Sequence, residues 1–212
     1  MQSDTLLALA TFSIASCVTP GPHNMMLMSS GATFGFRRSW AHILGISGGC
    51  MVMILLLGFG LAAAMARAPW VYPVLHLVST GYLLYLAWRI ATSAGAGAIS
   101  SRARPLTFIE AAAFQWVNPK AWAMTLGAVT SFARPDHLIT DIPVIALVIC
   151  ALGLPCIMLW AWGGLLVRQL LTRATMLRAF NIAMAAMLVL SLTPGLVELA
   201  AGAVRLLRQL QL

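Results

Sequence analysis

Charged side chains are scarce in this 212-residue sequence, where 13 basic and five acidic residues together make up 8% of the chain. A soluble domain carries roughly 25% charged residues, so this chain has too few to cover a water-exposed surface. Hydrophobic residues make up 61%, and the mean hydropathy is +0.91. The net charge of +8 does not indicate a nucleic-acid partner, because the arginines are spread between apolar segments. The composition therefore predicts an integral membrane protein.

Several chemical motifs are also missing. The four cysteines form no Cys-x-x-Cys pair, which argues against a zinc knuckle or a redox motif; they are Cys17, Cys50, Cys150 and Cys156. The sequence contains no metal-ligand cluster, phosphate-binding loop or hydrolytic constellation. We therefore predict no enzyme activity, no metal and no cofactor. The N-terminus begins with an acidic rather than a basic region and is not predicted to be a removable signal peptide.

Long apolar segments are what the sequence does have. A bilayer core about 30 Å thick needs roughly 20 helical residues. Six segments meet that length: about 5–34, 40–65, 70–90, 107–132, 142–167 and 179–199. The predicted fold is all-α with six transmembrane helices in one domain. A small, polar stretch separates a first three-helix repeat, 1–90, from a second, 107–212, so that residues 91–106 form a cytoplasmic linker.

Proline motifs interrupt the first segment of each half. Thr19-Pro20-Gly21-Pro22 lies inside the first segment, and Asn118-Pro119-Lys120 lies inside the fourth. An odd number of helices per half makes the two halves enter the membrane from opposite sides. Matching interruptions in two inverted halves are the pattern of a transporter whose site lies near the midplane of the bilayer. We therefore predict inverted repeats with helices one and four interrupted.

A helix break in hydrocarbon leaves peptide groups unpaired, which is tolerated only where they face protein, water or a polar ligand. Amides at the start of the half-helix after Pro22 suit a carboxylate. Carbonyls before Pro20 suit an ammonium group. One break thus offers groups for both ends of a zwitterionic amino acid, and a simple structural kink is the alternative.

The distribution of basic residues predicts the orientation. Eight arginines follow the first, third and fifth segments, and four lie in the connections on the other side and at the C-terminus. By the positive-inside rule the larger set is cytoplasmic. Both termini are then predicted to be periplasmic, against which Arg205 and Arg208 argue.

Several motifs carry a family resemblance. They are TPGPHN, GATFGFRRS, GISGG, GYLLYLAWRIATS and FQWVNPKAW, and they occur in this order over essentially the whole chain. The sequence resembles the lysine-exporter (LysE/RhtB-type) amino-acid exporters and is most similar to their cysteine/O-acetylserine branch. The resemblance implies an efflux carrier of the bacterial inner membrane that is driven by an ion gradient. Its substrate would be a small amino acid. Many family members carry an aspartate directly after Gly49, where this chain has Cys50.

Polar and small residues around the interruptions are the candidate site. For substrate binding or gating we predict Thr19, Pro20, Gly21, Pro22, Asn24, Gln115, Asn118, Pro119 and Lys120. Lys120 is the only lysine, and an intramembrane charge is usually functional. We expect it to hold the substrate carboxylate or to pair with an acidic group, and snorkelling to an interface is the alternative. His23 and Glu110 are candidates for proton coupling, with a buried hydrogen-bonding histidine and an interfacial acid as the alternatives. Gly45 and Gly49, four apart, predict close helix packing.

Two other classes of protein compete with an amino-acid exporter. A membrane thiol–disulfide electron carrier would use Cys17, three residues before Pro20, but the matching position in the second half is Trp116. A quinone or haem protein would use His23, His42 and His76, whose spacing does not repeat. Partners other than substrate and lipid are not indicated, and a homo-oligomer is left open.

Overall fold

A computed structural model describes residues 1–68, 70–91, 104–170 and, within 175–197, residues 175–176, 179–180, 182–187, 189–190, 193 and 197. These residues form helices and turns, and no strand occurs among them. The helices are α1 Ser3–Val18, α2 Pro22–Phe34, α3 Trp40–Leu56, α4 Ala62–Arg67, α5 Val71–Ala91, α6 Phe108–Phe114, α7 Pro119–Phe132 and α8 Leu138–Leu170. The all-helical prediction is thus confirmed for the described chain. Most of the predicted linker lies outside it, as do nine of the 21 residues of the predicted sixth segment.

Two described helical stretches are each long and apolar enough to cross a membrane. They are Arg37–Ala64 and Pro135–Val167. Ser3–Val18 and Pro22–Ala32 pass the same test as a pair and meet at a bend of 57°. Up to three spans are therefore evident in the described residues, and the six-span arrangement stays a prediction.

Glycine allows α2 and α8 to touch backbone to backbone. A Cβ at Gly31 would lie 1.9 Å from the carbonyl oxygen of Ala161, and a Cβ at Gly164 would lie 1.9 Å from that of Met28. Small residues at such a seam allow membrane helices to gain van der Waals contact without a hydrophobic driving force. Helix α8 is thereby fixed against the half-helix that follows the first break.

Gly45 and Gly49 form a second close contact, between α3 and α6. A Cβ at Gly45 would lie 2.4 Å from the carbonyl oxygen of Phe108, and one at Gly49 would lie 2.7 Å from Cα of Ala112. The same added atom at Gly49 would be 3.0 Å from Cγ of Gln115. The pair of glycines therefore sets how closely α6, and with it Gln115, approaches the centre of the protein.

The core is apolar and lies around α8. One buried cluster joins α1, α3, α7 and α8 and includes Leu9, Met53, Ala128 and Ile145. Near the start of α8, Asp141 is buried and accepts hydrogen bonds of 2.8 and 2.9 Å from the guanidinium of Arg134. This ion pair fixes the turn between α7 and α8, so that the second interrupted segment and α8 are held together.

Candidate functional site

The first break separates α1 from α2 at three residues. Thr19 and Gly21 have extended backbones, with φ/ψ of −61°/138° and −166°/171°, and Pro22 begins α2. Proline suits this first helical position because its missing amide would have no partner there. The Asn24 side chain donates from Nδ2 to the carbonyls of Cys17, at 3.0 Å, and Thr19, at 2.9 Å. Asn24 therefore satisfies carbonyls that the break releases.

The second break has the same construction. After α6 the chain forms one 3₁₀ turn, Gln115–Val117, and then an extended residue, Asn118, before Pro119 begins α7. Oδ1 of Asn118 accepts a hydrogen bond of 3.2 Å from the amide of Lys120 and so caps α7. On the other side, Nε1 of Trp122 donates to the carbonyl of Trp116 at 2.9 Å. Each break thus carries a polar side chain that pairs its freed peptide groups.

The two breaks are in direct contact, across about a hundred residues of sequence. The Lys120 ammonium donates to the carbonyl of Thr19, to Oγ1 of Thr19 at 2.8 Å and to the carbonyl of Pro20 at 3.4 Å. The lysine stem passes over Gly21, where an added Cβ would lie 2.5 Å from Cδ of Lys120. The two proline motifs therefore meet in the structure, and their use as one substrate site stays a prediction.

A histidine and an asparagine form the second contact between the breaks. Nδ2 of Asn118 lies 2.9 Å from Nδ1 of His23, and both side chains are buried. Because Oδ1 of Asn118 accepts from Lys120, Nδ2 is the donor and Nδ1 of the ring is the acceptor. The ring proton then lies on Nε2. His23 is thereby placed at the junction of both interrupted helices.

A small pocket lies beside the junction. It has a volume of about 20 Å³, which is room for about one water molecule. Its polar lining comes from His23, Gln115 and Ser47, and the remainder is apolar or sulfur-bearing; it includes Cys17, Cys50, Cys150, Ile46, Ile149 and Ile157. Nε2 of Gln115 donates to the carbonyl of Ala111 at 3.3 Å. An amino acid does not fit this pocket as it stands.

Glu110 occupies a different place from the other predicted residues. It caps the start of α6, accepting from the amide of Thr107 at 2.9 Å, and pairs with the guanidinium of Arg104 at 2.8 Å. Hydrogen bonding to this carboxylate raises the pKa of Arg104 above its usual value. Glu110 is thus a helix-capping acid at the opposite end of α6 from Gln115, and the break residues do not contact it in the described structure.

Comparison with known proteins decides the family. A family model described as LysE type translocator matches residues 14–191. The chain belongs to the LysE type translocator family. The cysteine/O-acetylserine efflux protein of Escherichia coli (strain K12) is 31% identical over 199 residues, which is 89% of this chain and 96% of that protein. The protein of the same name from Salmonella typhimurium (strain LT2) is 31% identical over 164 residues, or 75% of this chain and 82% of that protein.

Membership of the LysE type translocator family confirms the resemblance that the motifs carry. No solved structure matches the chain. The thiol–disulfide alternative gains no support, because the family is one of translocators and all four cysteines are free. Cys17, Cys50 and Cys150 nevertheless line the pocket together, a grouping that the sequence did not indicate. Their convergence depends on how α1, α3 and α8 are rotated, and the only sequence signal was the position of Cys17 near the break.

Proposed function

We propose that this translocator is a secondary-active exporter of small neutral amino acids or their derivatives, coupled to proton entry, in the bacterial inner membrane. The candidate substrates are of the cysteine/O-acetylserine, threonine or homoserine type. The observation that carries the proposal is the contact between the two proline breaks, at Thr19 and Lys120 and at His23 and Asn118. The names of the similar proteins support the substrate class.

The proposed site uses the peptide groups of the breaks. Carbonyls of Thr19 and Pro20 would accept hydrogen bonds from the substrate ammonium, and Lys120 would pair with its carboxylate. Oδ1 of Asn24 is buried and has no hydrogen-bond partner among the described residues, so it is a further acceptor. Gln115 lines the adjoining pocket, which would widen to receive the side chain. Pro22 and Pro119 would hold the two half-helices in the broken conformation.

We further propose that two inverted three-helix repeats, 1–90 and 107–212, rock about this junction, with both termini in the periplasm. Interrupted helices that face each other at a shared site suit alternating access, because each half can move while its own break stays intact. The contacts between the breaks link the two proposed halves at the point about which they would move. Opening would separate Lys120 from Thr19 and enlarge the pocket.

For proton coupling we propose His23 in preference to Glu110. An imidazole can gain and lose a proton, and His23 lies at the junction of the two breaks, in contact with Asn118. Glu110 already serves as a helix cap and as the partner of Arg104. Protonation of His23 at Nδ1 would remove the acceptor for Asn118 and so alter the contact between the breaks.

Counterflow tests the proposal directly. Proteoliposomes loaded with unlabelled cysteine or O-acetylserine should take up the labelled compound, and a panel of amino acids should rank the substrates. Pro20→Ala and Lys120→Ala should each lower the counterflow rate at least about tenfold. That change corresponds to a loss of about 1.4 kcal/mol in the free energy of substrate binding. Pro135→Ala, at an exposed proline of the α7–α8 turn, is the matched control. Unchanged counterflow in both break variants would contradict the site, and no counterflow of any panel member by the wild type would contradict the function.

A further inference from the structure

The Lys120 ammonium occupies the place where the proposed site needs the amino group of the substrate. Its three acceptors are the carbonyl and hydroxyl oxygens of Thr19 and the carbonyl of Pro20. We call these three oxygens the carbonyl cradle. Two of them are peptide carbonyls next to the helix break, which are the groups that suit an ammonium. The cradle is therefore already filled, by a cation that belongs to the protein.

No acidic side chain among the described residues pairs with Lys120. The carboxylates of Glu110 and Asp141 form ion pairs with arginines instead. Glu110 pairs with Arg104, and Asp141 pairs with Arg134. A cation in a membrane protein needs partners, and here only neutral oxygens supply them. A substrate carboxylate is consequently the stronger partner that Lys120 lacks in this conformation.

One set of oxygens cannot bind two ammonium groups at once, because like charges repel at this distance and the lone pairs are shared. We propose that Lys120 is a tethered mimic of the substrate amino group, which fills the carbonyl cradle in the empty transporter and must leave it when substrate binds. The inference rests on the proposed function. The incoming amino group displaces Lys120, and the released ammonium then pairs with the carboxylate of the same molecule.

This exchange predicts a selectivity for zwitterions. A simple amine would have to displace Lys120 without offering it a carboxylate, so that the lysine would lose its partners and gain none. An amino acid supplies both the replacement cation and the new anionic partner. The lysine would thereby reject amines and amino-acid esters, and would keep the two breaks joined until a molecule with both groups arrives.

Cysteine and cysteine methyl ester, under reducing conditions, are the probes that separate these roles. We expect the wild type to bind cysteine at least about tenfold more tightly than the ester, a difference of about 1.4 kcal/mol. In Lys120→Met the cradle is empty and the carboxylate partner is gone, so binding of the ester should strengthen while binding of cysteine weakens. Equal weakening of both compounds would overturn the proposal, because it would make Lys120 a structural cap or a simple carboxylate ligand.

A second measurement follows the lysine itself in the intact protein. Lys120 is the only lysine of the chain, so protein labelled with ¹³C-lysine has a single lysine side chain to observe by NMR. Cysteine should move its ¹³Cε signal saturably. Gly21→Ala should move the signal without ligand, because the added Cβ would lie 2.5 Å from Cδ of Lys120. Gly127→Ala is the matched control, since the nearest atom to its added Cβ lies 3.8 Å away, on Phe12.

The outcomes separate this inference from the proposed function. Counterflow by the wild type with a lysine signal that saturating cysteine does not move would overturn the mimic and leave the exporter intact. Failure of counterflow for every amino acid would contradict the exporter, and a lysine signal that responds to neither probe would then overturn the mimic as well. A signal that moves with cysteine, together with the reversed ester preference in Lys120→Met, supports it.

Discussion

Gly164→Ala should strongly destabilise the protein. The added Cβ would lie 1.9 Å from the carbonyl oxygen of Met28 and 2.9 Å from the amide nitrogen of Ala32. Both obstacles are backbone atoms of α2, so no rotamer change relieves the overlap and the two helices must separate. Overpacking typically costs about 1–3 kcal/mol, and we expect the upper end of that range. The thermal unfolding midpoint in detergent should fall, and counterflow should be lost because α2 forms one side of the junction.

Gly163→Ala is a control with the opposite expected sign. It makes the same substitution one residue earlier in α8, but nothing lies within 4 Å of its added Cβ. In a helix, replacing glycine by alanine stabilises by about 0.5–1 kcal/mol, so the unfolding midpoint should stay or rise. Equal unfolding midpoints for the two variants would contradict the close contact of α2 with α8.

His23→Gln should uncouple transport from the proton gradient. Glutamine can accept the hydrogen bond from Nδ2 of Asn118 through its side-chain oxygen, which preserves the contact between the breaks, but it cannot titrate. In proteoliposomes with an imposed pH gradient, accumulation of labelled cysteine above equilibrium should therefore disappear. Counterflow, which needs no driving force, should remain within about threefold of the wild type, a difference under about 1 kcal/mol.

Glu110→Gln is the matched comparison, because it also replaces one titratable side chain with an amide. Glu110 pairs with Arg104 and caps α6, so its loss should lower stability modestly and leave gradient-driven accumulation in place. The reverse pattern, with accumulation lost in Glu110→Gln and kept in His23→Gln, would transfer the coupling role to Glu110. Accumulation by both variants would exclude each of them as the proton carrier.

The positions of the two breaks were predictable because proline acts locally. A missing amide and a fixed φ interrupt a helix wherever they occur, so TPGP predicted the end of α1 and NPK predicted the start of α7 from sequence. Their contact was a longer inference, from the inverted order of the halves, and the geometry of Thr19 and Lys120 agrees with it. The partner of Lys120 was not predicted in detail: the sequence favoured an anion, and the structure shows carbonyls.

The glycine contact between α2 and α8 and the composition of the pocket could not be predicted. Gly163 and Gly164 are neighbours in an apolar helix, and only the rotation of α8 decides that the second faces α2. The same holds for Cys50 and Cys150, which contribute to one pocket from two helices. Successive helical residues point about 100° apart, so a sequence without a clear polar face does not fix which side packs inward.

Substrate protection at Thr19 tests the central claim most directly, namely that the amino acid binds where the two breaks meet. Thr19→Cys, in a background with the four native cysteines replaced by alanine and counterflow retained, should react with a membrane-permeant maleimide, since Thr19 is exposed. Thr11→Cys, an exposed position earlier in α1, is the control. We predict that saturating substrate slows labelling at position 19 at least about tenfold, in line with about 1.4 kcal/mol of competition, and leaves position 11 unchanged. Equal labelling at position 19 with and without a substrate that the same protein transports would contradict the account.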